Sequence, residues 1–180
     1  ENCSVCNDAN DGLDLIDSDQ DGICDGEEIT LTGTYDGGPC TSFDVDIWIY
    51  ESGTSNLQNS LTSVISGGNF TTEINLPEGS YDFYIKLDGH LSKGYYNTSV
   101  EFGNNAIEIE NLTIGDINNN DGINITDFTI LNSAFNSVAG DANYNPNADL
   151  NCNGGVNIVD VSILNQGFNQ VGDHAAMLSE

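Results

Sequence analysis

The sequence almost lacks positive charge: Lys86 and Lys93 are its only basic residues, against 29 acidic ones, for a formal charge of −27. Nucleic acids and anionic membrane surfaces both demand a basic footprint, so neither is expected as a partner. Long apolar runs are missing too. None approaches the roughly 20 residues of a membrane-spanning helix, so no transmembrane segment is expected. No leader pattern is visible, and a secreted form is expected to have lost its signal peptide. A catalytic constellation is also absent. His90 and His174 stand alone, without a nucleophile in a recognisable motif, and are expected in a solvated loop or tail. Cys3-Ser-Val-Cys6 has redox spacing without a βαβ context, which favours a structural bridge. Acidic pairs are too numerous to single out a glycosidase pair. The expectation is a protein that is not an enzyme.

What the sequence has instead is carboxylate in excess of anything it can pair internally. The neutralising cations must come from solvent, either as general counter-ions in a salty habitat or at dedicated sites. Dedicated sites are written into the chain twice. Asp116-Ile-Asn118-Asn-Asn120-Asp-Gly122-Ile-Asn124-Ile-Thr-Asp127 is followed by Phe128, Leu131 and Phe135. Asp149-Leu-Asn151-Cys-Asn153-Gly-Gly155-Val-Asn157-Ile-Val-Asp160 is followed by Val161, Leu164 and Phe168 at the same offsets. Side-chain oxygens fall at positions 1, 3, 5, 9 and 12 and a glycine at 7, the spacing with which a twelve-residue loop wraps a calcium ion. The apolar residues after position 12 stand three and four apart, as on one helical face. They are expected to pack across a small shared core, with Ile123 and Val156 paired as a short β-bridge between the loops.

Asp at position 12, a single helix after each loop, and the run Asn157-Ile-Val-Asp160-Val-Ser-Ile-Leu together resemble a dockerin, a calcium-dependent docking module of secreted proteins. That resemblance implies a cohesin-like protein partner, recognised largely through positions 10 and 11, here Ile125, Thr126, Ile158 and Val159. Their apolar character departs from the Ser/Thr pairs of cellulosomal examples and argues against a cellulase scaffold. Position 5 is Asn120 or Asn153 where dockerins usually have Asp, so each site carries two formal carboxylates. Asp121 at position 6 delays the glycine of the first loop to position 7.

A third loop lies near the N-terminus. Asp17, Asp19, Asp21, Asp25 and Glu28 fall at positions 1, 3, 5, 9 and 12, with Gly22 at 6 and no amphipathic helix following. A half-copy, Asp8 to Asp14, precedes it. This stretch resembles a thrombospondin type 3 repeat, whose helix-free loops hold calcium and are stapled by disulfides. About three calcium sites or more are expected in all.

Between these ends the pattern turns to period two, the mark of half-buried strands. Phe43, Val45, Ile47 and Ile49 alternate with Asp44, Asp46, Trp48 and Tyr50; Tyr81, Phe83, Ile85 and Leu87 alternate with Asp82, Tyr84 and Lys86. Further strands are expected at Ile29, Leu61–Ile65, Phe70–Ile74, Ser99–Phe102 and Ile107–Leu112, with glycine- and proline-marked breaks such as Gly103-Asn-Asn105. Seven short strands with regular turns imply an antiparallel β-sandwich of immunoglobulin or transthyretin type. The phrase Gly68-Asn-Phe-Thr…Leu76-Pro-Glu-Gly79-Ser-Tyr-Asp-Phe-Tyr resembles the carboxypeptidase regulatory-like sandwiches.

The expected layout is a calcium-binding segment at 1–28, a β-sandwich at 29–114, a two-helix dockerin-like module of half EF-hands at 115–172 and a tail at 173–180. The class is mainly β with a small α module. Cysteines point to an oxidising, extracellular or cell-surface setting. Cys3, Cys6, Cys24 and Cys40 could form two bridges; Cys152 is open between a free thiol, a bridge to one of those four and a cross-link between chains. Asn69, Asn97, Asn111 and Asn124 open acceptor patterns for N-glycans. Two functional readings follow. One is a calcium-hardened structural protein that associates with other chains, including copies of itself, into a filament or surface layer. The other is a carbohydrate-binding or adhesion module docked to a cohesin-bearing complex, with Trp48, Tyr50, Tyr95 and Tyr96 as a sugar platform on a polysaccharide.

Overall fold

A computed structural model describes residues 29–35, 40, 42–110 and 112–179. The expected calcium loop of Asp17, Asp19, Asp21, Asp25 and Glu28, its half-copy, Cys3, Cys6, Cys24 and Asn111 lie outside the described residues.

The chain is mainly β. Strands β1 (Ile29–Tyr35), β2 (Ser42–Glu51), β3 (Leu57–Ser66), β4 (Asn69–Ile74), β5 (Gly79–Leu87), β6 (Gly89–His90), β7 (Lys93–Val100), β8 (Gly103–Ile109) and β9 (Ile114–Asp116) precede the first helix, α1 (Ile125–Ala134). Then come β10 (Ser137–Val138), a 3₁₀ turn at Pro146–Ala148, β11 (Gly155–Val156), α2 (Ile158–Gln166) and α3 (Asp173–Leu178).

Seven strands form one sheet in the order β7-β5-β2-β3-β4-β1-β8. Between β3 and β4 the pairing is limited to Ser66 and Asn69, so the sheet folds over at that hairpin. Alternation places Val45, Ile47 and Ile49 of β2 and Phe83, Ile85 and Leu87 of β5 on the inner face, against Ile29 and Leu31 of β1, Phe70 and Ile74 of β4, and Ile107 and Ile109 of β8. One core is thus enclosed between two halves of a folded sheet, an arrangement consistent with a sandwich.

Two details differ from the sequence expectation. β1 and β8 run parallel, Ile29 opposite Gly103 through Tyr35 opposite Ile109, so the sheet is not purely antiparallel. The expected strand at Ser99–Phe102 is displaced: β7 ends at Val100, and Gly103 opens β8 instead of marking a break. The reversal falls at Glu101–Phe102, where Glu101 N–H donates to Asn105 Oδ1 at 3.0 Å and Asn105 Nδ2 donates to Glu101 O at 2.7 Å. That side-chain clamp sets the turn two residues before the glycine.

A second core, built on Ile117, Ile123, Leu131, Ala134, Ala148, Leu150, Val156 and Leu164, lies under the paired loops. Phe128, Val161 and Phe168 pack against it as the helical spacing predicts, whereas Phe135 ends α1 and is exposed. Gly115 lets β9 approach α2 closely. Its φ is +134°, and a Cβ there would stand 3.4 Å from Leu164 Cα and 3.2 Å from the Ile123 side chain.

The cysteine question left open by the sequence resolves for one pair. Cys40 is bonded to Cys152, with Cα atoms 5.6 Å apart. Two bridges confined to Cys3, Cys6, Cys24 and Cys40 are therefore ruled out, because Cys40 is committed to the second loop.

Candidate docking and cation site

Both loops fold by the same local hydrogen bonds. The position-1 carboxylate collects the N–H groups of positions 5 and 6: Asp116 accepts from Asn120 at 3.0 Å and Asp121 at 2.7 Å, Asp149 from Asn153 at 3.1 Å and Gly154 at 2.8 Å. The position-12 carboxylate spans the loop. Asp127 accepts from Asn118 at 3.2 Å and Asn124 at 2.9 Å, and Asp160 from Asn151 at 3.3 Å and Asn157 at 2.8 Å. Position 9 also starts a helix. Asn124 caps α1 by accepting from Thr126 N–H, Asn157 caps α2 by accepting from Val159 N–H, and Asp127 and Asp160 complete the capping boxes. The sequence thus uses the same residues to shape the loop, to begin the helix and to supply oxygen donors.

The donor set fits a hard cation. Each loop offers two Asp, three Asn and the backbone carbonyl of Gly122 or Gly155, all oxygen, and Asp116, Asp127, Asp149 and Asp160 are buried. Buried carboxylates need compensating charge. Among the described residues the one ion pair is Lys86 to Asp116, so the second loop has no protein cation. Among the described residues, too, no three His, Cys, Asp or Glu side chains gather at a metal site, because Asn fills positions 3, 5 and 9. That composition disfavours zinc-type sites and leaves an oxygen-seeking ion.

The pairing between loops differs from the expected bridge of Ile123 with Val156. Each loop instead bonds to the segment that follows the other helix. Gly122 bridges Val171 after α2, with Ile123 O accepting from Asn169 N–H at 2.8 Å; Gly155 and Val156 pair with Val138 and Ser137 after α1, with Val156 O accepting from Asn136 N–H at 2.8 Å. Asn136 and Asn169 both sit at positive φ, as do Asn119 and Cys152, so the backbone repeats along with the sequence. The exchange links the two halves more tightly than a single bridge, since neither loop can open without disturbing the other's helix exit.

At the start of each helix the two residues after the cap point outward. Ile125 is 65% exposed, Ile158 is 68% exposed, and Thr126 and Val159 are exposed beside them. Positions 10 and 11 of both repeats therefore form an accessible, largely apolar display on the loop module.

Of the other partner-binding candidates, Trp48 is half-buried and Tyr50 is buried. β5 is buried from Tyr81 to Leu87 on both faces: on the outer face Tyr84 meets His174 and Lys86 meets Asp116, while Asp82 is held by Ser52, Gly53 and Asn97. Residues 173–178, expected as a tail, form α3, and His174 is buried on the outer face of β2. Its ring stacks on Trp48 with centroids 4.1 Å apart, and its Nε2 lies 2.8 Å from the Tyr50 hydroxyl. Tyr50 is buried and Tyr95 packs against the sandwich core, whereas Tyr96 is exposed. These aromatics do not share an open sugar platform. Burial holds the His174 imidazole below its ordinary pKa, an effect that the nearby Asp121 charge opposes.

His90 is buried as well, at 1% exposure, and not in a solvated loop. Its Nδ1 must donate to Asp88 O at 2.9 Å, so in the neutral ring Nε2 accepts from the Tyr35 hydroxyl at 3.0 Å. Burial, the largest influence, depresses its pKa.

Asp121, an oddity in the sequence, is a clasp. From φ +65° its carboxylate leaves the loop and accepts from Ser92 N–H at 2.6 Å, Ser92 Oγ at 2.6 Å and Ala175 N–H at 3.0 Å. Its backbone carbonyl accepts from Gly172 N–H at 2.9 Å. One residue thereby ties the first loop, the segment before β7 and α3 together. The signal available in sequence was a non-glycine where the second copy has Gly154.

Residues 114–169 match the Dockerin type I domain family. No curated protein matches the chain. Among solved structures, a C-terminal interface mutant of the type II Cohesin-X-Dockerin complex from Acetivibrio cellulolyticus aligns with a TM-score of 0.61 at 21% identity, covering 81% of this chain and 99% of that chain. An N-terminal interface mutant of the complex from the same organism aligns with a TM-score of 0.60 at 21% identity and the same coverage. That coverage exceeds either half of the present chain, so the likeness extends over sheet and paired loops together. The family match supports protein–protein assembly through a non-catalytic module, and calcium as its ion in general terms. Among the described residues no helix is long and apolar enough to cross a membrane.

Proposed function

We propose that the chain is a secreted, calcium-dependent docking protein that binds a cohesin-like partner through the outward residues of its two loop-helix units. The observation that carries this reading is the repetition of one hydrogen-bonded loop and cap in both copies, each presenting positions 10 and 11 to solvent. In this reading calcium holds each loop, the loop holds the helix start, and the helix start displays Ile125, Thr126, Ile158 and Val159. Residues 29–114 act as a transthyretin-like or immunoglobulin-like sandwich that braces the module at 115–172. Asp17 to Glu28 adds a thrombospondin type 3-like site, for three ions or more, and the setting is extracellular or at the cell surface. Apolar recognition residues select a partner whose matching surface is apolar. Self-association into a filament is the competing use of the display, and calcium-loop patterns on either side of the sheet favour it.

Light-scattering chromatography of the full chain, mixed with purified type I and type II cohesins in calcium and then in chelator, separates the readings. Docking predicts a one-to-one complex in calcium that chelator dissociates and that Ile125→Asp with Ile158→Asp abolishes. Growth of polymers by the chain alone would select self-assembly. A chelator-insensitive complex, or a monomer in every mixture, would sink the docking reading.

A further inference from the structure

The two loops agree in their hydrogen-bond lengths to within about 0.2 Å, yet one contact on the position-1 carboxylate differs in kind. Asp149 Oδ2 accepts from the neutral Tyr144 hydroxyl at 2.9 Å. The equivalent oxygen of Asp116 accepts from the Lys86 ammonium at 2.8 Å. We infer that Lys86, a residue of the sheet, makes the two calcium sites unequal, so that the second loop takes its ion first and the first loop fills only at higher calcium. This rests on the calcium reading of the loops.

Geometry fixes the ammonium in place. Lys86 and Asp116 side chains are 7% and 0% exposed, and Nζ also donates to His90 O at 2.6 Å and approaches Asn119 Oδ1 at 3.4 Å. Asn119 Oδ1 accepts in turn from Gly89 N–H at 2.7 Å. The lysine therefore cannot swing away when a divalent ion enters. It repels that ion at short range and withdraws density from a ligand carboxylate, in a setting where solvent screening is weak.

Formal charge alone would conceal the difference. Asp121 adds a negative charge to the first loop, so Asp116, Asp121, Asp127 and Lys86 sum to the same −2 as Asp149 and Asp160. Position decides. The Asp121 carboxylate is spent on Ser92 and Ala175, outside the donor set, whereas the ammonium touches a donor directly. The same contact gives the first loop a resident counter-ion, which keeps it folded against the sheet at low calcium. The second loop has neutral donors only.

Calcium titration of the isotope-labelled full chain, followed through the amide signals of Gly122 and Gly155, reads each site separately. Gly155 is expected to respond first, and Gly122 at free calcium about tenfold higher or more. In Lys86→Gln the two responses should draw together; in Lys86→Arg the gap should persist. Coincident responses in the unaltered chain, or Gly122 responding first, would overturn the inference without any variant being needed. An unchanged gap in a folded Lys86→Gln would also overturn it. If neither glycine responds to calcium, the ion reading itself fails and the inference with it.

Discussion

The sheet half and the loop half of this molecule solve the same problem with different chemistry. The sheet encloses Ile47, Ile49, Phe83, Ile85 and Leu87 between its two layers and needs nothing from solvent. The loop half has a smaller core and places five buried aspartates, Asp116, Asp121, Asp127, Asp149 and Asp160, beside it. Its backbone is directed by neutral Asn amides and by Asp carboxylates, whose burial is costly unless their charge is compensated. The lesson is that apolar burial organises the first half, while the second half, on the reading proposed above, also draws on an ion and on the sheet beside it.

Removing calcium should break that comparison most. Each site filled at a thousandfold excess over its Kd contributes about 4 kcal/mol, so chelator should strip about twice that from the loop half. Hydrogen exchange would then rise steeply across 117–172 while β2 and β5 stay protected. Equal loss of protection in both halves would show that they do not differ as described. Next in size is Phe83→Ala, which empties a fully buried site in the sheet and should cost about 3–5 kcal/mol. Chemical denaturation should show that cost equally in calcium and in chelator; a cost that vanishes in chelator would tie the sheet core to the ion.

Asp121→Gly sharpens the comparison at the seam. It relieves a positive φ and gives the first loop the residue found at the same place in the second, but it strands Ser92 and Ala175. A net loss of about 1–3 kcal/mol is expected, read as faster amide exchange in α3 with calcium still bound. A gain in stability would show that the clasp holds nothing. The smallest effect is that of pH. His90 and His174 both have folded-state pKa values depressed below 6.5 by burial, so the unfolded chain binds more protons once pH drops below that value. Their contribution is full above pH 6.5 and is lost progressively as pH falls toward the folded values. Melting temperatures between pH 7.5 and 5 should decline accordingly, and less so in His174→Gln. A flat profile in that window would remove histidine burial from the account.

Much of this was readable in the chain. Strict alternation around Val45–Ile49 and Phe83–Leu87 announces strands, and the twofold Asp and Asn spacing announces two loops with a helix after each. These are local patterns, and local geometry enforces them. What escaped depends on contacts far apart in sequence. The parallel pairing of β1 with β8 joins residues more than 70 positions apart and carries no periodic mark of its own. α3 is six residues long with no side-chain cap, too short for helical spacing to speak, and it forms where His174 finds Trp48. The same contact explains why Trp48 and Tyr50 look like a free platform in the sequence and are covered in the fold. Loop exchange was misplaced for a related reason: the repeat is symmetric, and symmetry alone permits either Ile123 opposite Val156 or each loop opposite the other's helix exit.

The Cys40–Cys152 bond closes a span of 112 residues and joins the chain just before β2 to position 4 of the second loop. Consider tension rather than equilibrium stability. A pull applied between the chain upstream of Cys40 and anything gripping α2 crosses directly from sulfur to sulfur. The strands from β2 to β9, the first loop and α1 then lie in a closed bight beside the line of force. Upstream of the bond the load runs along β1; beyond it only a short stretch, from Cys152 to the start of α2, carries the load, and it is the stretch that an ion would stiffen.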